Sequence, residues 1–170
     1  MKKTTLCYIE RNNCYLMMLR NKKENDANQG KYVGVGGKFE MDETPDECLL
    51  REVAEETGLL LTSYRQRGVI SFISDTFENE EMYLYTADAF TYLDKSPVTE
   101  DFPKIECNEG TLEWIDISDV ESIPTWEGDK YFLRELAAGN SNIQMTLEYK
   151  GDTLVRAQLG QAKEGTIYEA

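Results

Sequence analysis

The sequence contains no histidine. Imidazole acid–base catalysis, Ser-His-Asp and Cys-His nucleophile systems and histidine-based zinc sites are therefore excluded. If the chain is an enzyme, carboxylates must carry proton transfer. Cysteine is sparse too: Cys7, Cys14, Cys48 and Cys107 include no Cys-x-x-Cys pair, which argues against a zinc ribbon or thioredoxin-type site. Each reads as a buried free thiol in a reducing compartment, so a cytoplasmic location is expected. No apolar run approaches the roughly 18 residues of a membrane span, and the polar residues soon after Met1 leave no room for a signal peptide. Basic residues are outnumbered, 18 to 32, giving a formal charge of −14. That balance disfavours nucleic acid, whose phosphates are neutralised by Lys and Arg. It still permits a small nucleotide held through a divalent cation.

What is present is enough for one globular domain: 170 residues, 41% hydrophobic. Thr4–Glu10 and Cys14–Arg20 are rich in β-formers around Asn12-Asn13, which predicts a hairpin. Residues 21–30 are polar and read as a loop, followed by a short strand over 31–35 leading into Gly36-Gly37. Further strands are predicted near Gly68–Ser74, Glu81–Phe90 and Thr111–Ile115, with a loop over 91–108. A second helix is expected from about Glu127 to Ala138, stopped by Gly139. The turn at Lys150-Gly151-Asp152 predicts a final hairpin. Strands interspersed with two helices make the chain α/β or α+β.

The strongest local pattern begins at Thr44, where Pro45 follows and Glu47 completes a capping box; Gly58 supplies the stop. Within this helix Leu50, Val53, Ala54 and Thr57 recur at i, i+3, i+4, i+7 and predict an apolar stripe. Glu52, Glu55 and Glu56 share an arc centred roughly 160° from that stripe, with Arg51 at its edge. Such clustering is unfavourable by about 0.2–0.5 kcal/mol for the i,i+4 pair Glu52/Glu56, and the helix dipole opposes anions near this end. Two readings stand: a solvated acidic face, or a seat for a hard divalent cation. Oxygen ligands without histidine favour Mg²⁺ or Mn²⁺ over zinc.

Gly37-x5-Glu43-x7-Arg51-Glu52-Val53-Ala54-Glu55-Glu56-Thr57-Gly58-Leu59 resembles the complete box of the Nudix hydrolases. The wider chain, roughly residues 4–158, is similar to the MutT-type branch, in particular to MutX-like and mammalian enzymes that destroy oxidised purine nucleoside triphosphates. The resemblance implies an α/β Nudix fold, a mixed β-sheet sandwiched between helices (α/β/α), over residues 1–159, with 160–170 as a mobile tail. It implies Mg²⁺, with Mn²⁺ as substitute, held by Glu55, Glu56, the Gly36 carbonyl and a downstream acid, Glu109. Glu52 would be the general base or a further ligand, Arg51 would orient a neighbouring glutamate, and Glu43 would serve the helix entrance. The implied reaction is water attack at the β-phosphorus of a nucleoside triphosphate such as 8-oxo-dGTP, releasing monophosphate and pyrophosphate. The expected partner is a small-molecule nucleotide, with neither nucleic acid nor membrane, and the chain is expected to act as a monomer or at most a weak dimer.

Outside the box, each candidate carries a plainer alternative. Glu109 taken alone is also an ordinary loop acid. Lys38, Lys22 and Lys23 are phosphate contacts or surface lysines. Asp129 begins the apolar face Asp129–Phe132–Leu133–Leu136, so it either points into a pocket or merely favours the helix dipole. Trp126-Glu127-Gly128-Asp129 resembles the purine-reading Trp-x-x-Asp segment of the oxidised-purine enzymes, with Trp126 stacking near the base. Phe72 matches a pocket aromatic of that branch, or is simple core. Val33 stands where the mammalian enzymes place a purine-reading asparagine, a departure shared with MutX-like enzymes. ADP-ribose and dinucleoside polyphosphate hydrolases match less well, since Ser74, Thr76 and Phe77 occupy their marker positions.

Overall fold

In the computed structural model, residues 1–103, 107–160 and 167–168 are described. β1 (Lys2–Arg11) and β2 (Cys14–Leu19) form the predicted hairpin. Asn12 and Asn13 both take positive φ, 51° and 61°, as a tight hairpin turn demands. The two strands stay paired only between Ile9–Arg11 and Cys14–Leu16. Beyond that point β3 (Tyr32–Val33) takes over the Met18–Leu19 edge of β2. The residues after β3 run along β1 instead: Cys7 N–H donates to Val35 O at 2.7 Å and Thr5 N–H to Gly37 O at 2.9 Å. Gly36-Gly37 is thereby fixed in a fork where the sheet divides.

The remaining elements are α1 (Pro45–Thr57), β4 (Leu59–Ser74), β5 (Glu80–Tyr92), β6 (Thr111–Asp116), α2 (Asp129–Ala137), β7 (Ile143–Lys150), β8 (Thr153–Leu159) and β9 (Ile167–Tyr168). The sheet runs β3-β2-β1-β5-β4-β7-β8-β9, with β6 antiparallel on β2. β1/β5 and β4/β7 are parallel pairs, so the sheet is mixed. Alternation along β1 separates its two faces. Cys7 and Ile9 join a core with Leu49 and Val53 of α1, while Tyr8 joins a core with Phe132, Leu133 and Leu136 of α2. A sheet with a helix on each face is the α/β/α sandwich that the resemblance implies.

Three boundaries differ from expectation. β4 starts at Leu59, immediately after the helix stop, rather than near Gly68. Its first half reads as polar because register shifts at Leu61/Ser63, Ser63/Tyr64 and Gln66/Gly68 break the alternation. α2 begins at Asp129, not Glu127, with Gly128 as its N-cap and the Gly128 N–H donating to Tyr149 Oη at 2.7 Å. Ile167–Tyr168, within the expected tail, pairs with β8 and covers what would otherwise be an open sheet edge; residues 161–166 and 169–170 of that tail lie outside the described residues. Cys7 and Cys48 are buried, whereas Cys14 and Cys107 are half-buried; all four are free thiols. Among the described residues no helix is long and apolar enough to cross a membrane.

α1 forms as its signals dictate. Thr44 Oγ1 accepts the Glu47 N–H at 3.2 Å, and Glu47 Oε2 accepts the Thr44 N–H at 3.0 Å. Gly58 ends the helix at φ 73°, a left-handed conformation that glycine adopts freely. Tyr85 Oη donates to Asp46 Oδ1 at 2.5 Å, tying the first turn to β5. Thr44→Ala removes one half of the capping box and should lower unfolding free energy by about 1 kcal/mol; a shift in urea midpoint without a change of slope is the check.

Candidate active site

Two acids of α1, Glu52 and Glu56, are not on its outer face. Cys48, Leu49 and Val53 are the buried residues of the helix, whereas Leu50, Ala54 and Thr57 of the expected stripe are only half-buried. At about 100° per residue, Cys48, Glu52 and Glu56 form one i, i+4, i+8 line beside Leu49 and Val53. Glu52 and Glu56 therefore face the sheet, and the predicted opposition of apolar and acidic arcs is corrected. The reason is what lies beneath them. They meet the Gly36-Gly37 backbone, where a Cβ on Gly37 would collide with the Glu52 carboxylate and one on Gly36 with the Thr5 carbonyl. Gly37 thus makes room for the Glu52 carboxylate, and Gly36 lets the segment lie against β1. Glu55 is exposed, its carboxylate sharing Arg51 Nη1 with that of Glu52.

One cation organises this helix. Arg51 grips Glu43 with two hydrogen bonds, 2.5 Å from Nε and 3.0 Å from Nη2. Its Nη1 reaches Glu52 Oε1 at 2.8 Å and Glu55 Oε2 at 3.2 Å, and Nη2 also donates to the Lys38 carbonyl at 3.0 Å. The guanidinium holds the Glu43 carboxyl down at about 2. Arg51 thus fixes the carboxylates of Glu43 and Glu52, with Glu43 just before the helix start.

Glu56 lies beyond the reach of that cation. Its carboxylate accepts the Gly36 N–H at 3.2 Å, but burial, then the charges of Glu109 and Glu52, push its pKa up to about 9. Burial also raises Glu52, opposed by Arg51. Glu109, on the Cys107–Gly110 turn, is met by Lys23 at 2.9 Å and Arg20 at 3.0 Å; these cations outweigh its burial and lower its pKa. Lys22 instead donates to the Cys107 carbonyl at 3.1 Å. Uncompensated carboxylate oxygens beside a backbone cradle are a donor set suited to a hard divalent cation such as Mg²⁺. Among the described residues no three acids converge into a closed metal site. Mg²⁺ needs no such cage, because it keeps waters and takes oxygens from bound phosphates.

Glu52, Glu56 and Glu109 open onto one end of a cavity of about 550 Å³. Gly36, Val33, Lys38, Phe72, Trp126 and Asp129 line the same cavity, so the structure brings together most of the candidates. Arg51 stands behind the acids and Glu55 outside. At the far end Asp129 is buried, and burial raises its pKa to about 8 against the opposing charge of Lys31. No donor among the described residues is paired with its carboxylate. Trp126 Nε1 donates to Asn28 Oδ1 at 2.7 Å, and Phe72 meets the indole nearly edge-on at 5.4 Å. Lys31 Nζ lies 4.4 Å over the same ring, so a base stacking on that face displaces it. Val33 also packs into the core beneath α1.

Three cavity residues escaped sequence reasoning. Arg20 bridges Asp26 at 2.7 Å and Glu109, yet in the sequence it is only the polar end of a strand. Asn28 lies in a loop whose composition is uniformly polar. Tyr8 reads as core by strand alternation, and its position on the cavity wall gives no local signal.

The profile of the NUDIX domain family matches residues 2–136. A Bacillus subtilis (strain 168) protein named as an uncharacterized Nudix hydrolase is 27% identical over 153 residues, covering 88% of this chain and 87% of its own length. A Danio rerio protein named oxidized purine nucleoside triphosphate hydrolase is 29% identical over 114 residues, 66% of each chain. The crystal structure of a mutator MutT protein from Bacillus halodurans superposes with a TM-score of 0.77 at 22% identity, covering 96% of this chain and 99% of the other.

Glu56 gives the site a signature in stability. An acid whose pKa rises on folding, here from 4.5 to about 9, binds more protons folded than unfolded across that interval, so stability falls as pH rises through it. Without divalent cations, Glu56→Gln should raise the thermal midpoint near pH 8 by at least about 2–4 °C, the effect of roughly 1 kcal/mol in a domain of this size. Near pH 4 it should change little. Added Mg²⁺ should stabilise the wild type and not the variant; scanning calorimetry at both pH values, with and without Mg²⁺, is the check.

Proposed function

The chain belongs to the NUDIX domain family, a hydrolase acting on phosphoric anhydrides, and we propose that its substrate is an oxidised purine nucleoside triphosphate such as 8-oxo-dGTP, cleaved to monophosphate and pyrophosphate. The observation that carries this reading is the single cavity joining the glutamates of α1 to the buried Asp129 and its aromatic neighbours. A triphosphate at one end then places its base at the other. The names of the Danio rerio and Mus musculus relatives point to the same substrate class.

Mg²⁺, or Mn²⁺ in its place, would be held by Glu56, Glu55, Glu109 and the Gly36 carbonyl, where it neutralises phosphoryl charge and acidifies a water. Glu52 takes the proton from the attacking water. Arg51 fixes its Oε1 while Gly37 lets the carboxylate lie against the backbone. A glutamate is otherwise a weak base at neutral pH, and partial burial raises its basicity. The new P–O bond forms at the β-phosphorus as the bond to the bridging oxygen breaks, and the nucleoside monophosphate leaves. Lys38, on the cavity wall, contributes positive charge to the phosphates. At the base end Asp129 accepts hydrogen bonds from a purine edge, and Trp126 and Phe72 enclose the ring.

Turnover of 8-oxo-dGTP, dGTP, ADP-ribose and diadenosine tetraphosphate with Mg²⁺ tests the substrate. Preferential release of pyrophosphate from 8-oxo-dGTP is expected. Preference for another member would move the substrate elsewhere among nucleotides, and no metal-dependent hydrolysis of any would make the chain a non-catalytic nucleotide-binding module. Asp129→Asn should change the ratio of kcat/KM between purine bases by about 3–10-fold, the worth of one hydrogen bond, while pyrimidine triphosphates keep their rates. An unchanged ratio would return Asp129 to a helix-dipole role.

A further inference from the structure

The indole of Trp126 is oriented by one directional contact. Phe72, Phe77 and Tyr149 meet its ring nearly edge-on, with centroids 5.4, 6.2 and 5.0 Å away. Such contacts keep a ring in place, but they discriminate weakly between an indole and the same indole turned over about its Cβ–Cγ bond. The N–H does discriminate, because a buried donor left without an acceptor destabilises the fold. Among the described residues Trp126 Nε1 has one acceptor, Asn28 Oδ1 at 2.7 Å. The two residues are 98 positions apart, and both line the cavity.

Asn28 is itself held in place. Asp26 turns the loop around it: Oδ1 accepts the Asn28 N–H at 3.1 Å, and Oδ2 accepts from Arg20 Nε at 2.7 Å. The backbone closes the same loop, with Gly30 N–H donating to Arg20 O at 2.8 Å and Lys31 N–H to Asn28 O at 2.9 Å. Just beyond it, Tyr32 N–H donates to Pro124 O at 2.8 Å and fixes the main chain ahead of Trp126. Adhesion alone needs no polar bond to the indole, since Ala27 and Tyr32 already pack against the core that includes Trp126. The Asn28 contact adds a direction to that adhesion. A wall oriented before the base arrives spares the cost of ordering it on binding.

We propose that Asn28 is a positioning residue for base recognition: by accepting the indole N–H it fixes the plane of Trp126 at the cavity wall, with Asp26 and Arg20 holding Asn28 in register. This rests on the nucleotide reading above and deepens it at the base end. Arg20 also donates to Glu109 at 3.0 Å, so the support of the base wall begins at the acidic end of the cavity.

Asn28→Ala and Asn28→Asp in the full chain are the test, the second because aspartate keeps an acceptor at the same reach. The chain has two tryptophans, so an amide-type nitrogen–proton correlation spectrum shows two indole signals. Trp114 donates to the Phe102 carbonyl at 3.0 Å and serves as the internal control; Trp126→Phe assigns the other. In Asn28→Ala the Trp126 signal should shift and exchange faster with solvent while that of Trp114 stays. Calorimetric affinity for dGMP should fall about 3–10-fold, the cost of ordering one side chain on binding. Affinity for inorganic tripolyphosphate with Mg²⁺, which has no base, should stay within about twofold. KM for dGTP should rise while kcat changes little. Asn28→Asp should restore both the indole signal and the dGMP affinity.

An unmoved Trp126 signal, or a moved signal with unchanged dGMP affinity, would overturn the proposal. Equal losses for dGMP and tripolyphosphate would also overturn it, because they would mark collapse of the loop. If Asn28→Ala does not fold, Asp26→Asn carries the test: the indole signal and dGMP affinity should change together, and either changing alone overturns the proposal. Wild type that binds tripolyphosphate but not dGMP would overturn the nucleotide reading instead, so the two failures are distinguishable.

Discussion

Arg51 can neutralise only part of the charge that α1 presents. Its guanidinium is shared among Glu43, Glu52 and Glu55, whereas Glu56, one turn beyond Glu52 on the same line, accepts the Gly36 N–H and lies beside Glu109. Those two acids sit on the side of the helix that also carries Leu49 and Val53, so their charge cannot simply turn to solvent. A helix optimised only for stability would place an aliphatic or basic residue at 56, since burial and like charges both oppose a carboxylate there. The rest of the site is arranged around that unrelieved charge. Glu109 is brought beside it rather than kept away, and its own cations, Lys23 and Arg20, come from the end of β2 and the loop that follows it.

The divided sheet makes this arrangement possible. If β1 and β2 stayed paired along their whole length, the 35–38 segment would have no edge to bond to and Gly36-Gly37 would be a free loop. Because β1 bonds to Val35 and Gly37 instead, the backbone beneath α1 is as fixed as the sheet itself. Glu52, Glu56 and the backbone beneath them are then held by secondary structure on both sides, which favours positional precision over a site built from loops. The loop before β3 contributes from the far wall, through Asn28 on Trp126 and Asp26 on Arg20.

The amino-acid sequence made the helix legible because its signals are local: the capping box, the first-turn proline and the terminal glycine each act within four residues. The hairpins at Asn12-Asn13 and Gly151-Asp152 were legible for the same reason. The orientation of α1 was not. Counting apolar residues gave the stripe through Leu50 and Ala54, whereas the buried side includes Glu52 and Glu56, a choice made by glycines fifteen or more residues away. The first half of β4 was hidden by its bulges, and β9 by the absence of any apolar pattern in the tail. Resemblance to the Nudix box supplied the acids, and Asp129 with Trp126, as a set. It could not supply Tyr8, Asn28 or Arg20, which enter the cavity through tertiary contacts between segments distant in the chain.

Two carboxyls in this one cavity have raised pKa values, and the causes differ in a way that separates the two ends. For Glu56, burial is joined by repulsion from Glu109 and Glu52. For Asp129, burial acts against the attraction of Lys31, with no like charge contributing. A cation relieves the first case directly, because the strain is net negative charge. It does nothing specific for the second, where the missing element is a hydrogen-bond donor; an ammonium already lies near. A neutral heterocycle with N–H groups supplies that donor, and a polyanion does not. On the proposed reading the acidic end suits metal-bound phosphate and the other end a base, which would give a nucleotide one orientation. In a chain with a net charge of −14, that selectivity comes from where charge is left unpaired, not from its sign overall.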